Sequence, residues 1–162
     1  MTYTKEQIAH LIDGTLDWDT THRMLSNPKD ENRFDKYIEI LQERVKWDDQ
    51  ILLPLGPHLY IVQKNNGDRV TKCSCGNEFG NYKENWKLNA TIFVRNTKED
   101  LHEIYPRLMH SDPKWNELRE YYCPNCAVQL EVESVPPLYP VILDFEPDLE
   151  AFYNEWLGRP LP

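Results

Sequence analysis

The sequence predicts an α+β protein with peripheral helices, a β-rich core and an extended C-terminal tail. Apolar residues before residue 50 recur at helical spacing, and short apolar runs separated by tight-turn signals follow them. Proline and aromatic residues crowd the end of the chain. The length of 162 residues fits one structural domain. Within it we expect an N-terminal helical region over 1–53, a core over 54–135 and a tail over 136–162.

Two helices are predicted in the N-terminal region. The first covers residues 4–13, where Thr4 begins a capping-box pattern with the glutamine three residues later. The second covers residues 28–47, with Asn27 as its N-cap and Pro28 at the first helical position, where proline is favoured. Its apolar residues lie three or four positions apart and form one stripe, made of Phe34, Tyr37, Ile38, Leu41 and Val45.

The first part of the core is predicted to contain a hairpin. Proline and glycine interrupt the chain at 53–57, which we interpret as a linker. Strands are expected over 58–63 and 69–73. Asn66 and Gly67 lie between these strands and form a strong signal for a tight hairpin turn.

The rest of the core is expected to contain more short elements. A strand is predicted over 91–95, and a helix over 98–109 that Pro106 kinks or ends. Strands over 119–123 and 127–134 flank a tight turn. In the second of these, valine and leucine alternate with glutamine and glutamate, so we expect the apolar face to be buried.

Four cysteines form two close pairs, in the motifs CSCG and CPNC, and each pair lies where a predicted strand meets a turn. Zinc takes four ligands at tetrahedral corners, at Zn–S distances of about 2.3 Å. We therefore expect Cys73, Cys75, Cys123 and Cys126 to bind one structural zinc ion in a zinc-ribbon-like β core. Two features depart from the usual ribbon pattern, because the first pair has one intervening residue and Ala127 replaces the glycine after the second pair.

The same ligand set is compatible with other chemistry. Four thiolates also bind iron, which allows a rubredoxin-like electron carrier, and disulfides or free thiols are further alternatives. A catalytic zinc is not expected, because four thiolates leave no open coordination position. We expect a cytoplasmic protein, since no apolar stretch approaches the length of a membrane span and the first residues lack the regions of a signal peptide.

The charge of the chain argues against some partners. Its formal net charge is −9, which repels nucleic acid and anionic membranes. A stand-alone zinc-ribbon interaction module, for example in RNA handling, is the main alternative of another class, and the lack of a basic patch counts against it. His102 and His110 do not have the spacing of a metal-binding helix, and we predict no catalytic residue in this chain.

Several stretches resemble the acetone carboxylase gamma subunit family, with the related acetophenone carboxylase system as the nearest alternative. They are WDDQILLPLGPHLYIV at 47–62, RVTKCSCGNEFGNYKENWK at 69–87, YYCPNCAVQLEVE at 121–133 and LYPVILDFEPDLEAFYNEWLGRPLP at 138–162. The combination of the cysteine motifs with the proline- and aromatic-rich tail makes the resemblance specific.

The resemblance implies a heterohexamer with two larger subunit types, alpha and beta. Those subunits are expected to bind ATP and Mn²⁺ and to join acetone to bicarbonate, giving acetoacetate, AMP and phosphate. It implies that this chain is the zinc-bearing small subunit, with only the four cysteines carried over as site residues. Aromatic residues are enriched at interfaces, so we expect a helix over 147–157 to dock on a larger subunit through Leu149, Phe152, Tyr153 and Trp156.

Overall fold

Three helices precede the first strand in the computed structural model, which describes residues 2–107 and 109–162. They are α1 (Lys5–Ile12), α2 (Trp18–Ser26) and α3 (Arg33–Arg44). The capping box of α1 is confirmed, because Thr4 Oγ1 accepts from the Gln7 amide at 3.1 Å and Gln7 Oε1 accepts from the Thr4 amide at 2.9 Å. α1 packs against α3, and their shared core contains Ile8, Met24 and Ile40.

The sequence prediction was wrong about the start of α3. Helix α2, which was not predicted, fills the interval before it and begins with Asp17 accepting from the Thr20 amide at 2.9 Å. Asn27 ends α2, because its amide and its side-chain nitrogen both donate to the Arg23 carbonyl. Pro28 therefore lies between two helices, and α3 begins at Arg33.

Four antiparallel strands form the first sheet in the order β1-β2-β3-β4. They are β1 (Gln50–Gly56), β2 (Leu59–Gln63), β3 (Arg69–Cys73) and β4 (Glu78–Asn81). The predicted hairpin between β2 and β3 is confirmed, with Gly67 at φ +87° in its turn.

The predicted linker over 53–57 is wrong, because β1 runs through Pro54 and begins before the expected core boundary. β1 is an edge strand, where proline is tolerated, and its pairing with β2 is irregular on both sides of Pro54. Ile51 and Leu52 are fully buried and hold the strand in place.

Three antiparallel strands form the second sheet in the order β5-β6-β7. They are β5 (Thr91–Arg95), β6 (Glu117–Tyr122) and β7 (Gln129–Val135). Between β5 and β6, α4 (Lys98–His102) is shorter than the predicted helix over 98–109 and ends before Pro106. Leu108, within that prediction, lies outside the described residues.

The predicted burial of the apolar face is confirmed for Val128 and Leu130, which pack against the core, but it is wrong after the irregularity in pairing at Leu130. Val132 is 48% exposed, whereas the side chain of Glu133 is 13% exposed and points to the protein interior. Beyond Leu130 the inward side of β7 therefore carries glutamates, and they contact a lysine described below.

The end of the chain contributes to the core. A short helix, α5 (Leu149–Ala151), continues into a π-helical turn (Phe152–Trp156). Leu149 and Tyr153 are 1% and 3% exposed, and the Tyr153 hydroxyl donates to the Leu52 carbonyl at 2.9 Å. The expectation that both dock on another subunit is therefore wrong. Trp156 is 80% exposed and stays available for such a contact.

A common core joins the two sheets. Leu59, Phe79, Trp86 and Tyr121 pack together there with two of the cysteines. Within the described residues, no helix is long and apolar enough to cross a membrane.

Candidate metal centre

The first cysteine turn connects β3 to β4. Cys73 ends β3, and its amide donates to the Asn77 carbonyl at 2.8 Å, while the Gly76 amide donates back to the Cys73 carbonyl at 2.8 Å. Gly76 has φ +100°, a conformation that glycine adopts without strain. The turn thus directs the side chains of Cys73 and Cys75 to one side.

The second cysteine turn connects β6 to β7 with a related geometry. The Cys123 amide donates to the Val128 carbonyl at 3.0 Å, and the Ala127 amide donates to the Cys123 carbonyl at 2.8 Å. Ala127 has φ +57° and occupies the left-handed position that glycine fills in the usual ribbon pattern. The departure at Ala127 therefore leaves the turn intact.

The structure brings all four predicted sulfur atoms together. Cys73 Sγ lies 3.8 Å from Cys126 Sγ, and Cys75 Sγ lies 3.6 Å from Cys123 Sγ. All pairs of the four sulfurs are within 4.8 Å, and all four thiols are free. Sulfurs at the corners of a tetrahedron with Zn–S bonds of about 2.3 Å are about 3.8 Å apart. The cluster therefore has the size needed to hold one metal ion.

The four thiols differ in their surroundings. Cys73 and Cys123 are buried in the core that joins the sheets, whereas Cys75 and Cys126 are exposed. Partial loss of hydration, together with hydrogen bonds to neighbouring thiols, raises the pKa of the Cys73 and Cys126 thiols. Burial also acts to raise the pKa of Cys75, but hydrogen bonds from the Asn125 side chain and the Asn77 amide outweigh it and bring that pKa to about 6.

This donor set fits a closed structural metal site. Four sulfur ligands fill the coordination shell of a zinc ion and leave no position for a substrate. Neighbouring groups orient the first turn, because the Ser74 amide donates to the His58 carbonyl at 2.9 Å and Trp47 Nε1 donates to the Ser74 carbonyl at 3.1 Å. An ion bound at this centre would link the two sheets.

A second group of ligand-type side chains contains Glu131, Glu133 and Asp144. Its centre is taken by the ammonium group of Lys87, which is fully buried and contacts Asp144, Glu131 at 2.7 Å and Glu133 at 3.1 Å. Burial alone lowers the pKa of Lys87, but its bonds to Asp144 and the two glutamates outweigh burial and raise it. Since a cation already occupies this group, it is an ion-pair cluster.

Sequence reasoning did not identify Lys87. The one signal was its place directly after Trp86, and these two are the buried residues of the 3-10 turn Trp86–Asn89. The two histidines discounted above lie with their rings 4.9 Å apart in an edge-to-face contact. Within the described part of the chain, neither belongs to a group of three or more metal-ligand side chains.

Comparison with known proteins gives one matching family model and two similar proteins. The family model described as the acetone carboxylase gamma subunit matches residues 45–157, which include both cysteine turns. An acetone carboxylase gamma subunit of Xanthobacter autotrophicus is 54% identical over 163 aligned positions, covering 100% of this chain and 97% of that protein. An acetophenone carboxylase beta subunit of Aromatoleum aromaticum is 29% identical over 83 positions, covering 48% of this chain and 61% of that protein.

Proposed function

The chain belongs to the acetone carboxylase gamma subunit family, and from this premise we propose that it is the zinc-binding structural subunit of an ATP-dependent acetone carboxylase. In this proposal it assembles with two larger subunit types, alpha and beta, in a heterohexamer. The larger subunits bind ATP and Mn²⁺ and convert acetone, bicarbonate and ATP to acetoacetate, AMP and phosphate. The gamma chain supports their assembly and contributes no catalytic residue.

The observation that carries the proposal is the cluster of four sulfurs with the spacing of a zinc tetrahedron. Zn²⁺ is the ion we assign to it, bound by Cys73, Cys75, Cys123 and Cys126. A fully ligated ion supports structure and not turnover. The free thiols also fit the cytoplasm, where thiols stay reduced, and we propose that the complex acts there.

The test is to co-express the chain with the two larger subunits and purify the complex through a tag on one of those subunits. We expect this chain to co-purify, to contain one zinc ion per copy, and to give ATP- and acetone-dependent formation of acetoacetate. A colourless protein with zinc supports the proposal. A red protein with iron and visible absorption, or failure of the wild-type chain to join the complex, would contradict it.

A further inference from the structure

One segment of the tail pairs with no strand among the described residues. Residues 139–148 form no helix or strand and contain no turn or bend up to the start of α5. Pro140 and Pro147 flank residues 141–146, and a residue that precedes proline is held in an extended conformation. Six extended residues span about 20 Å, the length of an ordinary strand.

The backbone of this segment is unpaired along one edge. Among the described residues, none accepts a hydrogen bond from the six amides of 141–146. The Val141 carbonyl accepts from Asn85 Nδ2 at 3.0 Å, so the edge that carries Val141 faces the body of the protein. In an extended strand, neighbouring residues direct their backbone groups to opposite edges. The edge formed by Ile142, Asp144 and Glu146 is therefore open.

Side chains fix the segment in place. Val141 and Leu143 pack against the core that joins the two sheets, and Asp144 contacts the buried Lys87 ammonium. These contacts hold the segment against the body of the protein before any partner binds. An unpaired strand edge is a ready template for pairing with another chain.

Apolar side chains are exposed on and beside the segment. Ile142 and Phe145 are 39% and 61% exposed, and Leu138 is 98% exposed. Leu138 also has φ +69°, which is strained for a residue with a side chain. The exposed Leu138 side chain makes little contact within the protein that could offset this strain. Contact with a partner could offset it.

The charge around the segment indicates the chemistry of the partner. Residues 136–158 contain no lysine, arginine or histidine and carry five acidic side chains, Asp144, Glu146, Asp148, Glu150 and Glu155. Asp144 is paired with Lys87 and Glu150 lies 3.7 Å from Arg69, so the excess negative charge comes from the other three. Two copies of this surface would repel each other, whereas a strand with basic side chains would be attracted.

We propose that the open edge of residues 141–146 pairs with a strand of a larger carboxylase subunit. That strand carries lysine or arginine opposite the acidic side chains, and apolar residues that cover Leu138, Ile142 and Phe145. Main-chain hydrogen bonds supply the affinity in this mode, and the side-chain contacts supply specificity. The inference rests on the proposed function, because it takes a larger subunit as the partner.

Hydrogen exchange on the intact complex tests the pairing. In the free chain, the amides of Ile142, Asp144 and Glu146 should exchange at nearly the rate of an unstructured peptide. In the complex they should slow by at least about tenfold, as paired strand amides do. Equal exchange in the two states would overturn the proposal.

A matched pair of variants separates strand pairing from side-chain burial. Ile142→Ala and Ile142→Pro both remove the isoleucine side chain, but only proline removes the amide donor. We expect Ile142→Pro to weaken binding to the larger subunits by a further factor of roughly three to ten, the effect of one hydrogen bond. Trp18→Ala, which removes an aromatic residue that is 73% exposed elsewhere, should leave binding unchanged.

The outcomes distinguish this inference from the proposed function. If the wild-type chain assembles but the two Ile142 variants bind alike, the edge is not paired and only this inference fails. If the wild-type chain does not assemble, the proposed function itself fails. If the free chain forms dimers through this edge, with protection of the same amides, the partner is a second copy and the inference is wrong. Leu138→Ala, which cannot disturb the core, should also weaken assembly.

Discussion

At the scale of single residues, the sulfur atoms differ from the other polar groups because they connect parts of the chain that are far apart in sequence. Cys73 is closest to Cys126 across the cluster, and Cys75 to Cys123, so each short contact joins the two turns. A bound ion would link β3 and β4 to β6 and β7. The cysteine spacing predicted that the four sulfurs lie together, because two close cysteine pairs, each beside a turn, are the usual pattern of a four-sulfur metal site.

Replacing one ligand should remove the metal. We expect Cys123→Ser to contain far less than one zinc ion per chain and to lower the Tm by more than about 10 °C, because zinc sites stabilise small domains by roughly 10 kcal/mol or more. The measurements are elemental analysis and thermal unfolding.

Ser74→Ala is the control for this change, because Ser74 lies between two cysteines without being one of the proposed ligands. It should keep its zinc. Wild-type stability in Cys123→Ser would contradict the assignment of a structural role.

Lys87 is the buried cation on which three carboxylates depend. Lys87→Met should lower the free energy of unfolding by about 3 kcal/mol, because removal of one partner leaves buried charges without compensation. The lower end of the usual range is expected, since Glu131 and Asp144 are 34% and 48% exposed and partly screened by water. Urea unfolding at pH 7 measures the change, and the exposed Lys46→Met is the control, with an effect within about 0.5 kcal/mol.

The same cluster should make stability depend on alkaline pH. Burial, together with the hydrogen bond to Glu133, raises the pKa of Tyr121 to about 12. A raised pKa in the folded state stabilises the protein below the unfolded value of about 10, and this contribution is lost as the pH rises through the folded value. Lys87 acts in the same direction, because its pKa is also raised.

The unfolding free energy should therefore fall between pH 10 and 12, and less steeply in Tyr121→Phe than in the wild type. Urea unfolding at a series of pH values measures both slopes. Tyr105→Phe, at a tyrosine that is 40% exposed, should behave as the wild type. Parallel curves for the wild type and Tyr121→Phe would show that Tyr121 has no such role.

At the scale of elements, local sequence signals were reliable where contacts between residues close in sequence determine the structure. The capping box of α1 and the Asn66-Gly67 hairpin follow from contacts within a few residues, and both are confirmed. β1 was missed because its proline is tolerated only at an edge strand, and strand order is a tertiary property. The boundary before α3 was misplaced because Asn27 caps the end of α2, which a linear pattern does not distinguish from an N-cap.

β7 shows the limit of alternation as a signal. Its pattern predicts which residues share a face only while the pairing is regular, and the irregularity at Leu130 exchanges the two faces for the residues that follow. Here the face with Glu131 and Glu133 is turned inward, because Lys87 comes from a distant turn to neutralise it. The orientation was therefore decided by a residue about 45 positions away, beyond the reach of any local pattern.

Removal of the metal should act on these elements unequally. A strong chelator should open the cysteine turns and the core around Trp86, which is 5% exposed, so that tryptophan fluorescence shifts to longer wavelength. Hydrogen exchange should accelerate in β3, β4, β6 and β7. The core around Ile8, Met24 and Ile40 is a separate cluster and should be protected longest.

Two tryptophan variants assign that signal. Trp86→Phe should reduce the fluorescence shift, and the remainder should come from Trp47, whose Nε1 donates to the Ser74 carbonyl in the first cysteine turn. Trp115→Phe should retain the full shift, because Trp115 is already 78% exposed. A shift of equal size in both variants would mean that the metal does not support the core between the sheets.

At the scale of the whole molecule, the tail has two roles that its sequence does not separate. Apolar and aromatic residues at helical spacing fit burial within the chain as well as docking on a partner, and only the tertiary structure divides them. Leu149 packs with Leu52 and Ile61, whereas Trp156 faces solvent. The tail therefore belongs to the folded body along one side and offers a surface along the other.

This division predicts different effects for two alanine substitutions in the tail, one on stability and one on assembly. Leu149→Ala should lower the unfolding free energy of the isolated chain by about 2–5 kcal/mol, as expected for a fully buried leucine. Trp156→Ala should change the stability of the isolated chain by no more than about 0.5 kcal/mol. If Trp156 contacts a larger subunit, the same variant should weaken assembly measurably. Urea unfolding of the free chain and co-purification of the complex give the two readouts. Equal loss of stability in both variants would mean that the tail packs as one buried unit, and no loss in Leu149→Ala would mean that it is detachable from the body.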